Sequence, residues 1–427
     1  MRDSREMGSG PLRQGPRPLG LHLGMGLTIL LSSAAGLPLL NNSSPPWHPS
    51  LRPQAAELMA LIARLREKKQ PPGVPPGPNP PPDPLALLPA AVDREMRRRI
   101  DRFMTGLERY RRHPYQRDVA DAPTIWREGA TRLLDFGGQG RPVLFVPSLV
   151  NRGYILDLSH RKSLLRWLAG QGLRPFLLEW GQPGALERPF TLTDIIAGRL
   201  SRALNHVVAQ VGGPVVLAGY CMGGLLALAA ALRRPDQVSA YVALATPWDF
   251  HADDAAGARR VATLLPPFEP TLHLLGELPV DAVQLFFATL DPLLALKKFS
   301  RFAEMDLASD AADDFVALED WLNDGVTLPA AIARECLGDW YGSNTPGRGE
   351  WQVAGAPVRP EAWRKPALVV VPARDRIVPP AAADALARSI PGATAWHPPL
   401  GHIGMVVSGG AKEKLWQPLR DWLLAAG

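Results

Sequence analysis

Cysteine is nearly absent from this chain: 427 residues contain two, Cys221 and Cys336. That excludes a disulfide-built scaffold and a thiolate-rich zinc site, and it predicts free thiols in a reducing, cytoplasmic compartment. No set of histidines and acids has metal-ligand spacing, and no glycine loop has the pattern that cradles a phosphate or a dinucleotide. The charge is weakly one-sided, +6 from 47 Lys+Arg against 41 Asp+Glu, without any block of five like charges. Spread in this way it predicts solvated faces and no nucleic-acid partner. A long clean apolar run is missing too. The uncharged segment 18–46 is diluted by glycines, His22, Thr28 and serines, and a span needs about 20 mostly apolar residues. It is expected to be a helix that packs on the body or touches a hydrophobic surface, and neither a signal peptide nor a membrane span.

Proline and hydrophobic residues are abundant, at 45 residues and 46%. Proline locks φ and removes a backbone donor, so "QPPGVPPGPNPPPDP" (70–84) predicts an extended linker. On either side of it "PQAAELMALIARLREKKQ" and "LLPAAVDREMRRRIDRFMTGLERYRRHP" have helical apolar spacing. Residues 1–119 therefore form a helical, proline-rich extension. Beyond it short apolar runs alternate with amphipathic segments: 142–150, 173–181, 213–221, 238–250 and 365–380 each predict a buried strand ending in a loop. This alternation predicts an α/β fold, a mostly parallel sheet with helices on both faces. It breaks once, where helical segments replace it for about 100 residues. The expected division is a core over 120–250 and 351–427, with 251–350 inserted as a helical cap.

The stretch "VVLAGYCMGGLLALAA" carries the chemistry. A buried strand runs into Cys221 and a helix leaves after it, with glycine at 219 and 223, in the pattern of the Gly-x-Ser-x-Gly nucleophile elbow of α/β-hydrolase folds. The glycines permit the tight turn, and the Met222 amide at the helix start can donate to a developing oxyanion. The second oxyanion amide is expected from the loop after the first core strand, at Leu149 to Asn151, with Val150 and Asn151 as the named candidates. A thiol nucleophile needs a base. His402, in "PLGHIGMVVSGG", is the first candidate and His397 its rival; Asp375, in "VVVPARDRIVPP", is the first candidate for the acid and Asp249 the second. Cys221, Asp375 and His402 keep the nucleophile, acid, histidine order of α/β-hydrolases. Cys336 is expected to be dispensable.

Taken together "VPSLVNRGYILDLSHRKSLLRWLAGQGLRPFLLEWGQP", "AGYCMGG", "PARDRIVPP" and "GHIGMVVSGGAKEK" resemble the polyhydroxyalkanoate synthases over roughly residues 115–425. The stretches "FVALEDWLNDG" and "GHIGMVVSGG" resemble most the short synthases that work with a partner subunit. The resemblance implies a Cys-His-Asp set at Cys221, His402 and Asp375, and an acyltransferase that moves 3-hydroxyacyl groups from CoA thioesters to a growing polyester chain. It implies no resident cofactor or metal, 3-hydroxyacyl-CoA being the substrate. The partners to expect are the polyester, a synthase partner subunit, a second copy in a homodimer, and a granule or membrane surface. A thioesterase, a polymer depolymerase and a granule-associated protein without turnover are the alternatives.

Overall fold

In the computed structural model residues 12–35, 52–67 and 88–426 are described; the proline-rich stretch 70–84 lies outside them. Eight strands form the main sheet: β1 (Thr124–Glu128), β2 (Thr131–Asp135), β3 (Arg141–Val146), β4 (Leu173–Glu179), β5 (Val215–Tyr220), β6 (Val238–Leu244), β7 (Ala367–Val370) and β8 (Thr394–Trp396). Their spatial order is β1-β2-β4-β3-β5-β6-β7-β8. From β4 to β8 every neighbouring pair is parallel, and β1 and β2 add an antiparallel edge beside β4. The five runs singled out in the sequence are β3 to β7. The sequence reading missed β1, "TIWRE", whose residues are exposed or half-buried and carry no continuous apolar signal.

The central strands are apolar on both faces through most of their length because both faces are covered. Along β3, Val143 and Phe145 enter one core while Leu144 and Val146 enter the other; β5 does the same with Val216 and Ala218 against Val215 and Leu217. Leu164, Leu165 and Leu168 with Met405, Val406 and Leu419 fill the first face. The helix Met222–Arg233, with Ile196, Leu200 and Leu204, covers the second. At roughly 25 cal/mol per Å² of apolar area removed from water, such two-sided burial is the dominant favourable term.

The chain divides into two compact units, one of 1–114 with 292–312, the other of 115–291 with 313–427. Of the expected cap, 251–350, the piece Pro292–Ala312 groups with the N-terminal helices, and the reason is local. The helix Leu88–Arg112 meets the helix Leu294–Phe302 at Gly106, where a Cβ would lie 1.9 Å from the Phe299 carbonyl oxygen. Around this contact Tyr110 packs on Phe299 and the Arg109 guanidinium donates to the Ala303 carbonyl at 2.6 Å. In the larger unit the rest of the insertion is helical: Ala255–Ala262, Leu265–Leu275, Val280–Leu290, Asp313 to Asn323, and Ala330–Arg334 continuing into a π-helical turn, Glu335–Gly342. The segment expected to be helical within 18–46 forms the helix Leu19–Ala35. Among the described residues no helix is long and apolar enough to cross a membrane.

The helix Met222–Arg233 leaves β5 so close to the end of β3 that a Cβ at Gly223 would lie 2.0 Å from the Val146 carbonyl oxygen and 2.7 Å from that of Pro147. Backbone on both sides cannot yield as a flexible side chain would. Gly223→Ala is therefore expected to destabilise the larger unit by about 1–3 kcal/mol, measured as a lower urea midpoint with an unchanged slope.

Candidate active site

Cys221 sits in the turn between β5 and the helix that follows, at φ 55° and ψ −128°. A non-glycine residue there is strained, and surrounding bonds must hold it. Its amide donates to the Leu244 carbonyl at 2.8 Å, and its carbonyl accepts from the Gly224 amide at 3.0 Å. Three glycines make the turn fit. A Cβ at Gly219 would fall 2.3 Å from the Gly224 Cα, Gly223 faces the end of β3, and a Cβ at Gly224 would fall 1.9 Å from the Thr246 hydroxyl. The strand thus delivers the thiol to the carboxyl end of the sheet.

Asp375 and His402 arrive at the same end from two later loops. Asp375 follows β7; its Oδ1 accepts from the amides of Ile377 and Val378 at 2.8 and 2.9 Å. Its Oδ2 lies 2.7 Å from His402 Nδ1. Cys221 lies near enough to the same imidazole for its sulfur to act on the ring's protonation. Both partners of the His402–Asp375 pair are buried, the carboxylate completely. Burial alone would push the imidazole pKa down. The Cys221 sulfur first, and then Asp375, outweigh it, and His402 is raised to about 10.

The rival candidates lie elsewhere. His397 is half-exposed and pairs with Asp384 at 2.8 Å. Asp249 accepts from the His251 amide and from Asn344 Nδ2, at 2.9 and 2.8 Å, and so fastens the loop after β6 to Asn344. Tyr220 was not foreseen: its hydroxyl donates to the His402 carbonyl at 3.3 Å and its ring lies 5.3 Å from the imidazole. It is buried at the end of β5, and its neighbour arrives from a loop 182 positions further along the chain.

Above Cys221 is a cavity of about 140 Å³ with an almost wholly apolar wall. The core contributes Ser148, Val150, Met222, Ile377 and Val378; the insertion contributes Phe286, Phe287, Leu337, Trp340 and Tyr341 among others, with Cys336. Of the expected oxyanion donors, Met222 begins the helix, where the first amides have no partner within it. The Val150 amide makes a long hydrogen bond, 3.4 Å, to Ser148 Oγ. Asn151 is set back: its backbone forms a bridge with Gly325, and it is not part of the cavity wall. Burial, and after it Glu335 and Asp339, pushes the Cys336 thiol well above its ordinary pKa, so it stays protonated.

Residues 141–405 match the family described as alpha/beta hydrolase fold. Three curated relatives are poly(3-hydroxyalkanoate) polymerase subunits PhaC. The one from Synechocystis sp. is 30% identical over 66% of this chain and 77% of its own length. The chain belongs to this polymerase family. The relative from Allochromatium vinosum is 29% identical over 66% of the chain and 80% of its own, and that from Haloferax mediterranei 28% over 70% and 62%. The chain thus spans less than two thirds of the haloarchaeal polymerase and about four fifths of the bacterial ones. In all three alignments the share of this chain covered is too small to take in the whole N-terminal extension together with the core.

The raised histidine has a testable cause. Cys221→Ala removes the largest influence holding the imidazolium, while burial remains. His402 in this variant is expected to titrate well below its wild-type position, as followed by ¹³C or ¹⁵N shifts of the ring. The sign for stability follows from the same direction. A histidine raised above its unfolded value of about 6.5 adds stability that is full below that value and is lost as pH rises through about 10. In the wild type this contribution should fade on the alkaline side, and in Cys221→Ala it should be absent there.

Proposed function

We propose that this chain is the catalytic subunit of a polyhydroxyalkanoate synthase, transferring 3-hydroxyacyl groups from CoA thioesters through an acyl-Cys221 intermediate to the hydroxyl end of a polyester. The observation that carries the reading is a thiol at the floor of an apolar cavity beside an imidazole that is paired with a buried carboxylate at 2.7 Å. The Cys221 thiolate attacks the thioester carbonyl, and the oxyanion is held by the amides of Met222 and Val150. As the C–S bond to CoA breaks, the His402 imidazolium gives its proton to the departing thiolate. One thioester is exchanged for another, so the acyl group stays activated.

Acylation also changes the base. The sulfur in a thioester carries no charge, so the strongest influence raising His402 disappears when Cys221 is acylated. Burial, which disfavours the charge, is then opposed by Asp375 alone, and the neutral imidazole becomes easier to reach. A neutral His402 can take the proton of an incoming hydroxyl as its oxygen attacks the acyl carbon, forming the ester and returning the sulfur as thiolate. The same residue is thus an acid before acyl transfer from CoA and a base after it. Asp375, through the 2.7 Å bond to Nδ1, fixes the tautomer that keeps Nε2 toward the sulfur in both states.

An apolar wall favours transfer over hydrolysis, because water has almost no polar group there to bind. The relatives are named as subunits, which supports a partner subunit for this chain as well. The granule surface and a second copy remain partners proposed on the same ground, the family likeness.

Purified protein incubated with 3-hydroxybutyryl-CoA, alone and with a candidate partner subunit, is expected to release thiol and form polymer. Stoichiometric free 3-hydroxybutyrate would instead mean a thioesterase, and cleavage of preformed polymer alone a depolymerase. His402→Gln should lower the rate by about 10²–10⁴-fold without unfolding the protein. Cys221→Ser should lose most synthesis, since a hydroxyl is the weaker nucleophile beside the same imidazole; a fully active serine variant would contradict the thioester-exchange mechanism.

A further inference from the structure

The end of β4 carries an acid that the reaction as described does not use. Glu179, in "LLEWGQP", is 6% exposed. The two arginines whose charges act on it pair with other acids, Arg152 with Asp324 at 3.5 Å and Arg132 with Asp121 at 3.2 Å. Burial pushes its pKa up. A buried carboxylate is costly unless donors meet it, so its hydrogen bonds show what keeps it there.

Both are to main-chain amides. Oε2 accepts from Gly153 at 2.9 Å and Oε1 from Gly181 at 3.4 Å. An ionised carboxylate only accepts, which suits two N–H donors; a glutamine would meet one of them and turn its NH2 toward the other. Gly153 has little room to shift. A Cβ there would lie 3.1 Å from the Pro147 side chain and 3.2 Å from Glu179 Oε2. The adjacent Trp180 reaches the same loop, its indole donating to the Pro147 carbonyl at 3.0 Å.

Between Pro147 and Gly153 lie Ser148 and Val150, both in the cavity wall, and with them the Val150 amide assigned to the oxyanion. The end of β4 thus holds this loop twice, at Pro147 through Trp180 and at Gly153 through Glu179. A donor that stabilises a transition state must be in place before the charge develops. We propose that Glu179 is a positioning residue for the acyl transfer: through Gly153 it holds the Val150 amide where the oxyanion forms. The assignment rests on the acyl-transfer reading of the site.

The test follows the burst of leaving group released as Cys221 is acylated, with 3-hydroxybutyryl-CoA and with 4-nitrophenyl butyrate as acyl donors. Burst amplitude counts working sites, and burst rate reports how well each one stabilises its oxyanion. Glu179→Gln keeps one acceptor, and its rate per site should fall about three- to tenfold. Glu179→Ala keeps none and should fall about 100-fold, as when an oxyanion donor is lost. The half-saturating concentration of either donor should stay as in wild type, because the contact is made in the transition state. A smaller amplitude at the wild-type rate would leave Glu179 a merely structural residue, and weaker saturation at that rate would make it a substrate-binding one; both overturn the assignment. If Glu179→Ala does not fold, the glutamine variant decides alone, and a wild-type rate per site overturns it. A wild type acylated by the ester but not by the thioester would overturn the acyl-transfer reading, while the ester rates of the variants still judge Glu179. Acylation by neither donor would overturn both.

Discussion

The close approach of three backbone segments at Cys221 governs the rest of the site. The end of β3, the end of β5 and the start of the helix Met222–Arg233 converge until there is no room for a Cβ at residues 219, 223 or 224. That crowding forces the strained conformation of residue 221 and lifts its side chain above the sheet. The same approach brings the loop after β3, with Val150, next to the helix start, so Cys221 and the candidate oxyanion amides are set by one packing event. Interiors pack densely enough that a displacement of one of these segments would be felt by the others.

Electrostatics adds what packing alone does not. His402 and Asp375 are buried and Cys221 is half-buried, so screening by solvent is weak and each partner acts strongly on the imidazole between them. Burial and pairing oppose one another at His402, and the sulfur of Cys221 is the largest of the influences that raise it. An apolar cavity makes this coupling stronger by keeping competing water away.

The insertion divides its residues between two tasks. Its segments before Asp291 and after Asp313 supply most of the cavity wall. The stretch 292–312 is bound to the N-terminal helices through the contact at Gly106, with Tyr110 and Phe299 beside it. Periodicity shows that each piece is a helix; it does not show which helix accepts which neighbour. Gly106 would have been a hint, since a glycine inside a 25-residue helix costs stability unless a close approach requires it.

Where a signal is local, the amino-acid sequence determined the outcome. The runs that became β3 to β7 are continuous apolar segments because buried parallel strands face apolar surroundings on both sides, and the elbow at Cys221 is written in adjacent residues. Chain order together with place, a loop just beyond a strand for Asp375 and a loop freed by Gly401 for His402, was enough to nominate them over Asp249 and His397. Only the tertiary structure decided that the nominated pair stands 2.7 Å apart, that Asp249 is bound to Asn344, and that Asn151 is drawn back toward Gly325. It alone placed Tyr220 beside the imidazole. These are relations between residues tens to hundreds of positions apart. Their energies come from burial and from charges brought together through space, and a spacing along the chain does not encode either.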